Sequence, residues 1–439
     1  MAHGSSPASS AHPVPAPWCF RRWRWEEVKP GSPGADPWPK ARSGHRLVFH
    51  AGQIYLFGGY NPNLTLDDPE MADDPHWAQH SPLFNELWRF NVSARRWTQL
   101  TMHGEGPRAL ASHTMVSYRG RLVVYGGTGS PFGLTTSNEV FAFNLDTQHW
   151  ETLAVEAASP ELPPALYGQA CLLDGPSLFT MGGTSGFQYH IDVHRLDLEQ
   201  KAWSRLTPDP NPLVSDPFLP PARYRHELCL HQKRLLVLGG GTSMEAFGFE
   251  QIPAFNLETG LWERQTTWPN RRSAQEFPEP RRCHSISHWG DGKCDRTQSL
   301  GPLGPTDIPL CFDLFADVFL CGGFDGDAIF NQLWRLHLPT MRWYHIKCPL
   351  PHPVYFHDAT VTQSGQAYIF GGVTNMESNT RSDQLYRTWL TIPSLREMAW
   401  EAVNHYCPNL ADESSETLME MGVPREFVSR LFYGSDQAG

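Results

Sequence analysis

Six times along this chain a run of apolar residues ends in Gly-Gly, at Gly58-Gly59, Gly126-Gly127, Gly182-Gly183, Gly240-Gly241, Gly322-Gly323 and Gly371-Gly372. No other feature restricts the fold as much, because a repeat at this spacing means one supersecondary unit copied along the chain. The flanks repeat too. After the first five pairs comes a second strand-like run, "NELWRFNV", "NEVFAFNL", "DVHRLDL", "QIPAFNL" or "NQLWRLHL", then a turn and a tryptophan at Trp97, Trp150, Trp203, Trp262 and Trp343. Alternation is the period of a half-buried strand, and a unit of about fifty residues with four strands is one blade of a β-propeller. Gly-Gly lets the backbone turn through conformations closed to residues with a Cβ. Each tryptophan supplies an apolar plate between neighbouring sheets. The expected fold is all-β, a six-bladed propeller.

The sixth unit lacks a strand. After "AYIFGG" and "SDQLYRTWLTIP" nothing corresponds to the outer strand of the other units, whereas "RRWRWEEV" at residues 21–28 does, with Trp25 in the tryptophan place. An N-terminal strand is thus expected to close the last blade and remove two open sheet edges. The expected divisions are a disordered segment over 1–17, a propeller over 18–392 with insertions at 60–83 and 288–312, a helical segment over 393–432 and a disordered tail over 433–439. The net charge of −11 and the lack of Lys/Arg blocks argue against nucleic acid. No apolar run is long enough to span a bilayer, and the N-terminus lacks the apolar stretch of a secretory leader, so no membrane is expected. Five of the nine cysteines lie in or beside strand-like runs, which fits buried thiols in a reducing compartment: the cytoplasm, with the nucleus as a second location. His284, His288, Cys294 and Cys311 come nearest to a metal-ligand set, but no C-x-x-C pair accompanies them. No cofactor is expected.

From Pro393 the apolar period changes from two to about 3.6, with Leu395, Met398, Ala399, Ala402 and Val403 on one helical face. Further on, "VPREFVSRL" at 423–431 opens another helix with Pro424 in its first turn, where the missing N–H costs nothing. Val423, Phe427 and Leu431 recur on one face of it. With its Gly-Gly pairs, its tryptophans and stretches such as "ARSGHR", "LFGGYNP", "RYRHE" and "PVYFHDA", the chain resembles the kelch-repeat family over about residues 42–392. Its tail resembles the elongin-binding box followed by the cullin-2 box of receptors of the von Hippel-Lindau type. Leu395 opens the first box, Ala399 stands where most members carry a small Cys, and Val403 is its aliphatic residue. The combination resembles kelch substrate receptors of cullin-2 ubiquitin ligases. That resemblance implies a non-catalytic subunit binding elongin B/elongin C through Leu395, Met398, Ala399 and Val403, and cullin-2 through Val423, Pro424, Phe427 and Leu431. It also implies a propeller that takes C-terminal tails of substrate proteins, commonly ending in glycine.

A propeller gathers the loops leading into its innermost strands, and those leaving its Gly-Gly turns, around one mouth. The six lead-in tetrapeptides are "RSGH" (42–45), "LASH" (110–113), "LYGQ" (166–169), "RYRH" (223–226), "RRCH" (281–284) and "VYFH" (354–357). Their second places hold Ser43, Ala111, Tyr167, Tyr224, Arg282 and Tyr355, and the third places add Ser112 and Arg225. A terminal carboxylate needs charge-assisted, preferably bidentate donors, which arginine's planar fork supplies. Arg225 and Arg282 are the candidate donors, Tyr167, Tyr224 and Tyr355 the walls, and Ser43 and Ser243 further donors. First-place arginines such as Arg223 and Arg281 read as structural, and the kelch resemblance puts them between blades. The fourth-place histidines recur too regularly for catalysis and are expected to serve the repeat. Two competing readings are a copper oxidase of the galactose-oxidase sort, which needs a secreted chain, and a kelch scaffold or cytoskeletal interaction protein without elongin binding.

Overall fold

The computed structural model describes residues 17–30, 37–64, 81–153, 162–208, 216–270, 275–289 and 317–432. Apart from residue 17, the segments expected to be disordered fall outside these, as do most of both insertions. The chain folds into a propeller of six four-stranded antiparallel sheets. Blade one runs outward through Arg46–His50, Gln53–Phe57, Leu87–Asn91 and Arg96–Gln99. Blades two to five repeat this order from innermost strands Thr114–Tyr118, Ala170–Asp174, Glu227–His231 and Ser285–Trp289. Blade six is composite: Asp358–Val361, Gln366–Phe370 and Leu385–Trp389 are joined by the N-terminal Glu26–Val28. Glu26 pairs with Arg387 and Val28 with Leu385, so the expected closure is present. Trp25 Nε1 donates to the Cys348 carbonyl of blade five at 3.0 Å, fastening the strand on its other side.

The core lies between blades. Second strands such as Gln53–Phe57 are buried at every residue. Each repeat tryptophan leans on the preceding blade: Trp97 is 5.7 Å from Phe370, Trp150 5.5 Å from Phe57, Trp203 5.2 Å from Tyr125 and Trp343 5.5 Å from Phe249. Burial of an aromatic side chain of this kind contributes about 1.5–3 kcal/mol, so neighbouring sheets are held by a few such plates.

The glycine pairs have a definite job. All twelve residues adopt positive φ, but the fourth pair is Gly239-Gly240, one residue earlier than the sequence suggested. A triple glycine hides its own register; the next blade sets it. A Cβ on Gly239 would sit 2.8 Å from His284 Cε1, one on Gly58 2.9 Å from His113 Cε1, and one on Gly322 2.5 Å from His357 Cε1. The first glycine therefore makes room for the fourth-place histidine of the following blade.

After the propeller come three helices, α1 (Leu395–Tyr406), α2 (Ser415–Glu420) and α3 (Arg425–Phe432). Ser394 and Ser414 cap α1 and α2 by accepting from the amides of Glu397 and Thr417. The helices share a small core in which Trp400 stacks on Phe427 at 4.5 Å, with Leu410, Leu418, Val428 and Leu431 around it. Polar contacts dock this module on the ring. Arg387 of blade six donates to both carboxylate oxygens of Glu401, at 3.1 and 2.9 Å, and Arg95 of blade one adds a bond of 2.9 Å. Asn91 Nδ2 donates to the Arg430 and Leu431 carbonyls at the end of α3.

Candidate functional site

At the mouth, each second-place residue of a lead-in loop bridges to the residue after a glycine pair. Ser43 meets Tyr60, Ala111 meets Thr128, Tyr167 meets Thr184, Tyr224 meets Gly241, Arg282 meets Phe324 and Tyr355 meets Val373. The six places are equivalent in space. The third-place residues Gly44, Ser112, Gly168, Arg225, Cys283 and Phe356 all lie at φ between 56° and 69°. Their backbones form a closed circle: Ser112 donates to Gly44, Gly168 to Ser112, Arg225 to Gly168, Cys283 to Arg225, Phe356 to Cys283 and Gly44 to Phe356, at 2.7–3.0 Å. A residue with a Cβ loses about 1 kcal/mol or more in this conformation, and here the circle of hydrogen bonds holds it there.

Arg225 lies across the floor of this bowl. Its Nη2 donates to Ser112 Oγ and its guanidinium sits 4.6 Å from the centre of the Phe356 ring. It passes over Gly168, where a Cβ would stand 3.3 Å from Nε. Arg225 Nε is buried without a hydrogen-bond partner. Arg282 is only 7% exposed, lies over the Phe324 ring and has Nη1 unpartnered. Among the described residues no carboxylate forms an ion pair with either guanidinium. Tyr224 lies in the field of both arginines, but burial dominates and pushes its hydroxyl up to about 12. Burial likewise pushes the Cys283 thiol up to about 12, so both groups are neutral at ordinary pH. Tyr167 and Tyr355 are partly buried walls, the latter stacked on Phe324 at 5.0 Å. Ser43 Oγ donates to the Tyr60 carbonyl, and Ser243 stands exposed on the blade-four loop, its amide donating to Tyr189 Oη.

Sequence reasoning missed a third guanidinium. Arg381, at the end of the hairpin Val373–Asn375/Thr380–Arg381, donates through Nε to Ser43 Oγ and the Tyr60 carbonyl, both at 3.1 Å. Aligning lead-in loops alone could not find it; "TRSDQ", shortly after the sixth glycine pair, was the available signal. Tyr60, Phe132 and Tyr189 complete the aromatic wall, with Tyr60 4.7 Å from Phe132 and Tyr189 5.3 Å from Tyr224. Below the floor Arg46 crosses the channel, donating to Glu227 and Asp358 at 3.3 Å each and to the His113 carbonyl at 3.1 Å. Three charges thus pair inside the ring, while those in the bowl do not.

Arg42, Arg223 and Arg281 are structural: each donates Nη1 to the first glycine carbonyl of its own blade, Gly58, Gly239 and Gly322, while its carbonyl accepts from the second glycine of the preceding blade, Gly372, Gly183 and Gly240. Each also covers an aromatic ring, Phe84, Phe247 or Phe330, which fixes its reach. In the tail, the two faces part company. Leu395 (83% exposed), Ala399 and Val403 form an exposed stripe along α1, with Met398 partly covered, while Trp400 and Asn404 turn inward. Phe427 and Leu431 are buried in the helical core, so of the second group only Pro424 is exposed and Val423 partly so. Burial also drives His113, His284 and His357 down to about 3 and His45 and His226 well below their usual range, which leaves all five as uncharged packing groups.

Residues 18–240 match the family described as the KLHDC2/KLHL20/DRC7 Kelch-repeats domain. A Rattus norvegicus protein named Kelch domain-containing protein 10 is 40% identical over 403 residues, covering 92% of this chain and 88% of its own. The Homo sapiens protein of that name is 39% identical, covering 90% of this chain and 80% of its own. A Drosophila melanogaster homolog is 35% identical over 90% of this chain and 62% of its own. The chain therefore belongs to the kelch-repeat family, in the group of proteins called Kelch domain-containing protein 10.

Proposed function

We propose that this chain is the substrate-recognition subunit of a cullin-2/elongin B–C ubiquitin ligase, acting in the cytoplasm and nucleus, and that its bowl holds the C-terminal, Gly-ended tails of target proteins. It performs no chemistry itself. The observation that carries this reading is the pair of guanidiniums at the floor, Arg282 buried and Arg225 half-buried with its Nε out of water, each with an unpartnered nitrogen and neither with a carboxylate counterion among the described residues. Buried charge of one sign is costly, and an incoming carboxylate would relieve that cost with charge-assisted bonds. A tail ending in glycine brings its carboxylate to the floor with no side chain to meet the crowded ring around Gly44 and Gly168. Arg381, Ser43 and the neutral hydroxyls of Tyr167, Tyr224 and Tyr355 supply further donors. The stripe Leu395, Ala399 and Val403 faces solvent with the spacing of an elongin-binding box, while Val423 and Pro424 offer the accessible part of a cullin-2 contact.

The test is a fluorescence-anisotropy titration of the full chain with one Gly-ended peptide as free acid and as C-terminal amide. The acid binds and the amide does not; equal binding would refute carboxylate recognition. Co-purification with elongin B/C and cullin-2 tests the rest. A folded chain that captures neither leaves the scaffold reading in its place.

A further inference from the structure

The rim of the bowl is chemically lopsided. On blade two the loop after the glycine pair exposes Phe132 and Leu134, on blade three Phe187 (86% exposed), and on blade four Met244 (90% exposed). The loops at 128–136 and 184–189 contain no charged residue. Across the mouth, blades five and six present Asp325, Asp327 and Glu377, with Met376 (42% exposed) beside the last of these. The apolar loops are fixed, not loose. The carbonyl of Gly133 stands 2.4 Å from where a Cβ on Gly186 would lie, so the blade-two and blade-three loops abut, and Tyr189 of blade three accepts from the Ser243 amide of blade four. Phe132 also touches Tyr60 and Tyr167 of the wall, which makes the rim continuous with the aromatic lining. Glu245 beside Met244 is exposed as well, within the field of Arg223.

Resting on the reading that a chain end enters the bowl, we infer that this crescent selects what precedes the end: tails with apolar side chains upstream of the last two residues, and without acidic ones there. An extended tail rises about 3.3 Å per residue, so the last two residues pass the arginines and tyrosines before the chain meets the rim. An apolar side chain then covers Phe187 and Met244, surface that otherwise stays in water. Asp327 and Glu377, both exposed, repel a carboxylate brought to the rim, and Asp325, whose carboxylate holds its own loop, adds to the negative field.

The experiment uses the full chain and four labelled peptides: acid or amide at the end, with Leu and Phe or with Ser and Glu at the third to fifth places from it. The apolar acid is expected to bind about tenfold tighter than the polar acid, the effect of covering part of one large side chain. In Phe187→Ser/Met244→Ser that gap closes, mainly by weakening the apolar peptide, while thermal melting stays put because both side chains are already exposed. If the acids keep their advantage over the amides but the gap is missing, or survives in the double variant, the rim inference falls and carboxylate recognition stands. If amides bind as well as acids, or no peptide binds, both fall.

Discussion

At Arg282 a guanidinium sits almost wholly out of water with one nitrogen unsatisfied, while Arg46 in the channel has two carboxylates. The contrast separates a charge that holds the fold from one that waits for a partner. Arg225→Ala and Arg282→Ala are each expected to weaken a Gly-ended peptide by about 2–5 kcal/mol, the range for removing one member of a buried charged pair. Anisotropy titration reads this, and an unchanged Kd for either variant would remove that arginine from the site. Arg46→Ala differs: it strands Glu227 and Asp358 together, so its effect shows as lost stability in urea melts, about 3–5 kcal/mol. Which arginine belongs to which class was only half legible. Repeat alignment distinguished the first place from the second and third, but only the folded ring shows that Arg46 reaches blade four and that Arg381 enters from a hairpin outside the alignment.

Among the elements, α1 and α3 show why an apolar period on its own is ambiguous. Both stripes, Leu395-Ala399-Val403 and Val423-Phe427-Leu431, recur at helical spacing, yet the first faces water and the second, from Phe427 on, faces Trp400. Periodicity reports a face; it does not say what covers it. Leu395→Asp should therefore abolish elongin capture in a pull-down while the melting temperature stays unchanged, since the residue is already solvated; a melting shift of several degrees would mean the helix packs elsewhere. Phe427→Ala opens a cavity costing about 3–5 kcal/mol and loosens the module, so elongin and cullin-2 binding fail together. Pro424→Ala is the variant that isolates the cullin-2 contact. Closure of blade six was legible beforehand for a different reason: a repeat with an empty fourth slot needs a strand, and one other stretch of the chain fits it.

For the molecule as a whole, acid stability follows from the histidines. His45, His113, His226, His284 and His357 are buried and uncharged, with folded pKa values depressed below the ordinary 6.5 and, for three of them, about 3. Between those limits the unfolded chain binds more protons than the folded one. The stability is fully present above about pH 6.5 and is lost as pH falls toward 3, by up to about 1.4 kcal/mol per pH unit for each histidine. Urea melts between pH 7.5 and pH 5 measure the slope, and His113→Gln, which copies Gln169 of blade three, should remove one histidine's share; an unaltered slope would assign acid sensitivity elsewhere. The closed circle at the mouth has another meaning. Because amide and carbonyl do all of its joining, the six residues that form it are free to differ, and they do: two glycines, a serine, an arginine, a cysteine and a phenylalanine occupy one geometric place. The circle works as a wheel of six type slots with a common shank. New characters can be set one slot at a time, within the alphabet that tolerates a left-handed backbone, so a family built on this wheel can print a different receptor without recasting the press.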